Sequence, residues 1–231
     1  RLAFHQMDDK PGVPVLADLW GSVRGRPLSV PEPTWGGLFV VFEGGEGAGK
    51  STQVRLLADH LRRQGHHVVA TCEPGATDLG RRIRRLLLDD EAAETPSPRA
   101  EALLYAADRA HHVATVVRPA LAHGAVVISD RYIDSSLAYQ GAGRTLPADE
   151  IGWLSAWATG RLKPDLVVLL DIPPEVGIAR AAGRQAGIDR LERESLAFHE
   201  RVRHAFLDLA ANDPRRYLVV DAPRPAEEVA G

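Results

Sequence analysis

Eight residues, Gly44-Gly45-Glu46-Gly47-Ala48-Gly49-Lys50-Ser51, fit the spacing G-x-x-x-x-G-K-[ST]. Small residues there let successive backbone N–H groups close around a phosphate, and the helix that should follow adds partial positive charge. Lys50 would reach the β- and γ-phosphates and the Ser51 hydroxyl would ligate Mg2+. A nucleoside triphosphate is the expected ligand. The loop holds no arginine, but it holds an acid, Glu46. A carboxylate beside a γ-phosphate repels it, so Glu46 is read either as an acceptor for the hydroxyl of a second ligand or as a solvent-facing loop residue.

A second group of residues suits an acceptor. Asp130-Arg131 opens the run Asp130-Arg131-Tyr132-Ile133-Asp134-Ser135-Ser136-Leu137-Ala138-Tyr139-Gln140-Gly141. At the carboxyl end of a strand, Asp130 would hold Mg2+, directly or through water, or orient Arg131, whose guanidinium offers a bidentate fork to phosphate. Ser136, Tyr139 and Gln140 are three and four apart and share a face on a helical turn. Tyr105 and Arg109 stand at i and i+4, an aromatic plate and a donor suited to a base, or to ordinary packing beside a surface charge. In Arg180-Ala181-Ala182-Gly183-Arg184-Gln185-Ala186-Gly187-Ile188-Asp189-Arg190, arginines surround two glycines, the composition of a mobile basic lid or of a solvated arginine-rich turn.

Strands and helices must place these groups. Continuous apolar runs at 38–42, 125–129 and 166–170 read as strands buried on both faces, with further strands at 67–70 and 217–220. Helical periodicity predicts helices over 51–64 (closed by Gly65), 78–88, 98–122 (bent or restarted at Pro119) and 192–211. Strands alternating with helices imply an α/β fold, a five-stranded parallel sheet with helices on both faces. The site then lies beyond the carboxyl ends of the strands, where the loop at 44–51 and Asp130 both fall. Residues 1–36, with prolines at 11, 14, 27, 31 and 33, read as an extension or linker of unknown function ahead of a domain at 37–231. The start at Arg1 and the helix-like beginning at Pro225 read equally as a segment of a longer polypeptide, with another domain fused at the N-terminus, or as ordinary flexible termini.

The 231 residues carry a net charge of −3, which gives no reason to expect a nucleic-acid partner. Of 28 basic residues only Lys10, Lys50 and Lys163 are lysine. The single cysteine, Cys72, excludes an intrachain disulfide and suits a reducing, cytoplasmic setting. The first ten residues lack the apolar core of a signal peptide, and no apolar run approaches the ~20 residues of a membrane span.

From about Leu38 to Ala222 the chain resembles the thymidylate kinase family. The likeness rests on Phe42-Glu43-Gly44 through Lys50-Ser51-Thr52, on Thr71-Cys72-Glu73-Pro74-Gly75-Ala76-Thr77, and on Asp130-Arg131-Tyr132 through Tyr139-Gln140-Gly141. It implies a P-loop fold of the nucleoside monophosphate kinase type, transfer of the γ-phosphate of ATP to dTMP with Mg2+, a bacterial type with a basic lid, and a homodimer. By this resemblance Gly44 to Thr52 hold ATP, Glu46 approaches the sugar 3′-hydroxyl, Tyr105 stacks on thymine, and Arg109 and Ser136 read the base edge. Arg131 holds the acceptor phosphate, Tyr139 and Gln140 crowd the 2′ position, Glu73, Pro74 and Ser135 line the dTMP site, and the Glu73–Pro74 bond is expected to be cis. Lys50, Arg131 and the lid arginines Arg184 and Arg190 would be catalytic, and Ser51 and Asp130 would hold the metal. The family commonly carries arginine where this chain has Cys72, and Gly-Gly where it has Gly75-Ala76; Arg84, one turn into the next helix, is a candidate for the missing charge. A kinase for another deoxynucleoside monophosphate, or a non-catalytic nucleotide-binding module of a larger polypeptide, are the alternative expectations.

Overall fold

The computed structural model describes residues 36–88, 95–183 and 189–223. The expected extension lies outside the described residues except for Gly36, as do Arg184 and the helix start at Pro225. Five strands, β1 (Leu38–Gly44), β2 (Val68–Cys72), β3 (Val126–Asp130), β4 (Leu166–Asp171) and β5 (Tyr217–Asp221), form one parallel sheet in the order β2-β3-β1-β4-β5. This is the five-stranded α/β sheet that the apolar runs predict. Alternation along the strands loads both faces. Val40, Phe42, Val126, Ile128 and Val168 pack against Val54, Ala58 and Leu61 of α1 (Lys50–Arg63). Phe39, Val41 and Val127 pack on the opposite side against Val113, Val117 and Leu121. Full burial of such side chains stabilises by about 1.5–3 kcal/mol each.

The strands run one or two residues further than the apolar runs suggest, and this sets the site. In register, Phe42 and Cys72 both lie opposite Asp130, and Gly44 opposite Leu170, so the polar residues that end β1, β2 and β3 emerge side by side.

Helix α2 spans Asp78–Leu88, as expected, and α3 spans Pro98–His112. The chain after α3 does not simply bend at Pro119. A π-helical turn over Val113–Val117 widens the helix first, and Arg118–Ala122 resumes the α form. Proline lacks the N–H for an i−4 bond and crowds that carbonyl, so the wider turn relieves both. The short helix α4 (Ile133–Ser136) likewise opens into a π-helical segment, Leu137–Gly143, that carries Tyr139 and Gln140. Helix α5 (Ala148–Thr159) has no counterpart in the sequence reading. Its buried positions are Ile151, Ser155 and Thr159, two of them polar, while Trp153 and Trp157 face solvent, so the usual apolar stripe is absent. After α6 (Pro174–Ala182) comes the helix expected from Glu192, here α7 (Leu196–Asn212). It starts late because Asp189 and Glu192 cap each other's backbone N–H groups in a separate turn, and Ser195 then caps α7 by accepting from the Phe198 N–H.

Candidate functional site

The loop between β1 and α1 takes its shape from its glycines. Gly47 sits at φ +66° with its backbone against Gly177 of α6, where a Cβ would lie 2.0 Å from the Gly177 carbonyl oxygen. Gly49, at φ +90°, is the residue from which α1 starts. Lys50 folds back over the loop, its Nζ donating to the carbonyls of Gly44 (3.1 Å) and Gly45 (2.7 Å). Burial and the nearby Arg131 pull its ammonium down to about 8, partly offset by Glu46 and Asp130. Ser51 Oγ donates to Asp130 Oδ2 at 2.5 Å, across the gap between α1 and the end of β3.

Arg131 follows at φ +72°, a conformation that costs a non-glycine residue free energy. Glu43, wholly buried at the end of β1, holds the turn there. Its Oε1 accepts from the N–H groups of Tyr132 (2.8 Å) and Ser135 (3.2 Å), and its Oε2 pairs with Ser135 Oγ (2.6 Å). Burial, then the nearby Asp134, pushes the Glu43 carboxyl up to about 8. Thus aimed, the Arg131 guanidinium donates to the Gly44 carbonyl (3.1 Å), Ser135 Oγ (3.1 Å) and Glu46 Oε1 (2.6 Å), and lies over the Tyr139 ring. Tyr139 also donates to Glu46 Oε1, at 2.7 Å. Burial would raise Glu46, but Arg131, Lys50 and the tyrosine hydroxyl outweigh it and bring the carboxyl down to about 2.

The far wall is organised by the Glu73–Pro74 peptide, which is cis as expected. Glu73 turns inward and joins Arg109 Nε (2.7 Å) to His112 Nδ1 (2.8 Å), with Thr71 Oγ1 on the other ring nitrogen at 2.7 Å. Arg109, nearly fully buried, donates in addition to Ser136 Oγ (3.0 Å) and the Tyr132 carbonyl (2.9 Å). Asp108 accepts from the Gly75 N–H at 3.2 Å, and burial, then Glu73, raises it to about 6. Arg84 reaches over the turn to donate to the Pro74 carbonyl at 3.1 Å, beside Cys72, whose thiol is pushed up by burial and then by Asp130.

These groups surround one cleft of about 520 Å³. Of the expected residues, Glu46, Gly47, Gly49, Lys50, Ser51, Thr52, Glu73, Pro74, Arg84, Tyr105, Arg109, Asp130, Arg131, Ser135, Ser136, Tyr139 and Gln140 all line it. Gly44, Gly45 and Ala48 do not line it; Gly44 and Gly45 meet it through their carbonyls on Lys50. Arg190, expected among the catalytic arginines, stands apart from these. It does not line the cleft: its Nε donates to the Leu87 carbonyl (2.8 Å) and its Nη2 to Glu101 (2.5 Å), so it ties loop to helix. Sequence reasoning missed Glu43, Glu101, Asp108 and His112. A signal existed for Glu43, an acid closing an otherwise apolar strand; the others stand one turn from Tyr105 or beside Arg109, masked as ordinary helix polarity. Among the described residues no helix is long and apolar enough to cross a membrane.

The thymidylate kinase family model matches residues 42–231. The thymidylate kinase of Clavibacter sepedonicus is 58% identical over 194 residues, covering 84% of this chain and 91% of the relative. That of Desulfosudis oleivorans is 48% identical over 200 residues, covering 84% and 93%. The crystal structure of thymidylate kinase from Ehrlichia chaffeensis matches with TM-score 0.66 and 31% identity over 80% of this chain and 92% of that one.

Proposed function

The chain belongs to the thymidylate kinase family and phosphorylates dTMP with ATP, and on that premise we propose which of its own residues carry the reaction. ATP lies along Gly44 to Thr52 with its terminal phosphates on Lys50, whose Nζ exchanges its two carbonyl acceptors for phosphate oxygens. dTMP occupies the wall opposite. Tyr105 faces its base, Arg109 and Ser136 meet the base edge, and Glu46 and Tyr139 bracket the sugar. Gln140, expected at the 2′ position, is assigned instead to the base edge, because it lines the cleft one turn after Ser136 with its amide held by Glu101. Arg131 and Arg84 take the 5′-phosphate. The observation that carries this reading is the Arg131–Glu46 contact at 2.6 Å, a cation for an acceptor phosphate paired with an acid that belongs to the phosphate loop itself.

The acceptor is a phosphate monoester with a second pKa of about 6, so its attacking oxygen is already deprotonated at neutral pH. No general base is needed. The obstacle is repulsion between two polyanions, and fixed cations in a partly dry cleft lower it. Lys50, buried, and Arg131, half-buried, supply charge whose orientation is fixed before the substrates arrive, so little reorganisation is left for the transfer itself. Ser51 Oγ and Asp130 Oδ2, which share a hydrogen bond at 2.5 Å, are hard oxygen donors of the kind that would hold Mg2+. When bound, the ion neutralises charge on the transferred phosphoryl group. A lid arginine, Arg184, completes the set.

The homodimer that the resemblance implies has a surface to form on. Leu86 of α2, Leu103 of α3 and the stacked Trp153 and Trp157 of α5 are all more than half exposed, on helices in which α3 packs against both α2 and α5. Sedimentation of the wild-type protein and of Trp157→Glu tests this, with a dimer and a monomer expected. For the reaction, ADP release is measured with ATP, Mg2+ and each of dTMP, dUMP and dCMP. Turnover that depends on dTMP is expected; its absence would overturn the assignment of the cleft.

A further inference from the structure

Glu101 lies in the first turn of α3 with its side chain 1% exposed, yet it carries a carboxylate. Four donors converge on it. Oε1 accepts from Gln140 Nε2 (2.9 Å) and Arg144 Nε (3.3 Å), and Oε2 accepts from Arg144 Nη2 (3.2 Å) and Arg190 Nη2 (2.5 Å). Burial would raise its carboxyl, but the hydrogen bonds from Arg190, Arg144 and Gln140 outweigh it and hold the group below its ordinary value. An ionised carboxylate accepts and never donates. Gln140 must therefore turn its NH2 end toward Glu101, and because Gln140 lines the cleft, the end it offers there is the carbonyl oxygen.

The polarity of that oxygen matters. Arg109 uses three of its five N–H groups on Glu73, Ser136 and the Tyr132 carbonyl, which leaves donor capacity on both terminal nitrogens at a residue that lines the cleft. A donor from Arg109 beside an acceptor from Gln140 complements a base edge with a carbonyl next to an N–H, as in thymine or uracil. It opposes cytosine, whose ring nitrogen accepts and whose exocyclic amine donates. We propose that Glu101, without touching substrate, is a specificity-determining positioning residue: tied by Arg144 and Arg190, it fixes the Gln140 amide so that its oxygen reads the N3–H of the base. This rests on the reading of the cleft as the dTMP site.

The substitution Glu101→Gln tests the idea with little change of shape. Each arginine donates to Oε2, against a single longer arginine contact (3.3 Å) at Oε1, so the side-chain oxygen of the new residue stays on the Oε2 side and its NH2 faces Gln140. Gln140 must then invert and present NH2 to the base, the arrangement that suits cytosine. The readouts are the KM for dTMP and the inhibition constant of dCMP against dTMP phosphorylation. The ratio of dCMP inhibition constant to dTMP KM is expected to fall by about tenfold or more, the effect of exchanging one good hydrogen bond for a clash of like polarity. The KM for ATP is expected to stay within about twofold, given the independent donor site. A merely structural role would lower the active fraction and leave the ratio in place, and an unchanged ratio overturns the proposal. In Glu101→Asp the group remains an acceptor, so the ratio must persist; its collapse there also overturns the proposal, and this variant serves if Glu101→Gln does not fold. Wild-type protein that turns over no dTMP would instead overturn the reading of the cleft.

Discussion

Arg131 and Glu46 meet at 2.6 Å where the phosphate loop faces the end of β3, and neither is free to drift: Arg131 is also held by Ser135 and the Gly44 carbonyl, Glu46 by Tyr139. The pair joins the phosphate loop to the turn that follows β3. With its carboxyl down at about 2, Glu46 is ionised at any pH an assay would use. Glu46→Gln keeps the shape and removes the charge. A hydrogen bond to a charged group is worth about 1.5–3 kcal/mol, so kcat/KM for dTMP should fall about 10- to 100-fold. The KM for ATP should hold or drop, since a repulsive charge has left the loop. A depressed carboxyl stabilises the fold above its unfolded value near 4.5 and loses that contribution as pH falls toward about 2. Acid unfolding curves of the wild type and Glu46→Gln should therefore converge below about pH 2.

Glu43 predicts the opposite sign. Its carboxyl rises from 4.5 to about 8, so the folded protein holds this proton more tightly than the unfolded chain does. Its contribution to stability is complete below about pH 4.5 and is lost as pH climbs toward about 8. Glu43→Gln imitates the neutral acid: its oxygen can still accept from Tyr132 and Ser135, and its NH2 can donate to Ser135 Oγ. The melting temperature of this variant, relative to wild type, should climb steadily between pH 5 and 8. A difference constant with pH would show that Glu43 is ionised in the folded state.

Much of this was legible in the residues. Apolar runs located all five strands, and the glycine spacing around Lys50 located the phosphate loop, because both are local patterns. What escaped depends on the pairing of strands. Cys72 and Phe42 lie opposite Asp130 only through parallel register, so the acid of β1 that props the Arg131 turn could not be matched to it beforehand. Glu101 escaped for a related reason, since its four donors come from sequence positions 39 to 89 residues away. Helix α5 escaped because it buries Ser155 and Thr159 and exposes two tryptophans.

Cys72 stands where an arginine is common in the family, and Arg84 lies beside it on the cleft, in the second turn of α2. Its guanidinium donates to the Pro74 carbonyl, which leaves further N–H groups for an anion. Arg84→Ala should raise the KM for dTMP about tenfold, as loss of one charge-assisted phosphate contact requires. Cys72→Arg should lower that KM in the wild type and restore most of it in Arg84→Ala. Steady-state kinetics of the three variants decide the matter. A KM unmoved by Arg84→Ala would assign the acceptor phosphate to Arg131 alone.

Arg190 and Arg184 should separate in kinetic type. Arg190 is engaged by the Leu87 carbonyl near the end of α2 and by Glu101 in the first turn of α3. Arg190→Ala removes a donor from Glu101 and releases the turn that carries Leu191 and Glu192 into the cleft wall, so its effect should fall on the KM for dTMP. Arg184, outside the described residues, has a different expectation. The phosphate loop lacks an arginine, and an arginine that stabilises the transferring phosphoryl group contributes about 10³–10⁵ in rate. Arg184→Ala should lower kcat at least about tenfold, a conservative share of that factor, with ATP affinity unchanged. Binding of ATP by calorimetry and kcat by coupled assay separate the two effects. An unchanged kcat in Arg184→Ala removes that residue from the mechanism. A fall in kcat with unchanged KM for dTMP in Arg190→Ala would mean that Arg190 leaves Glu101 during turnover and acts on the phosphates instead.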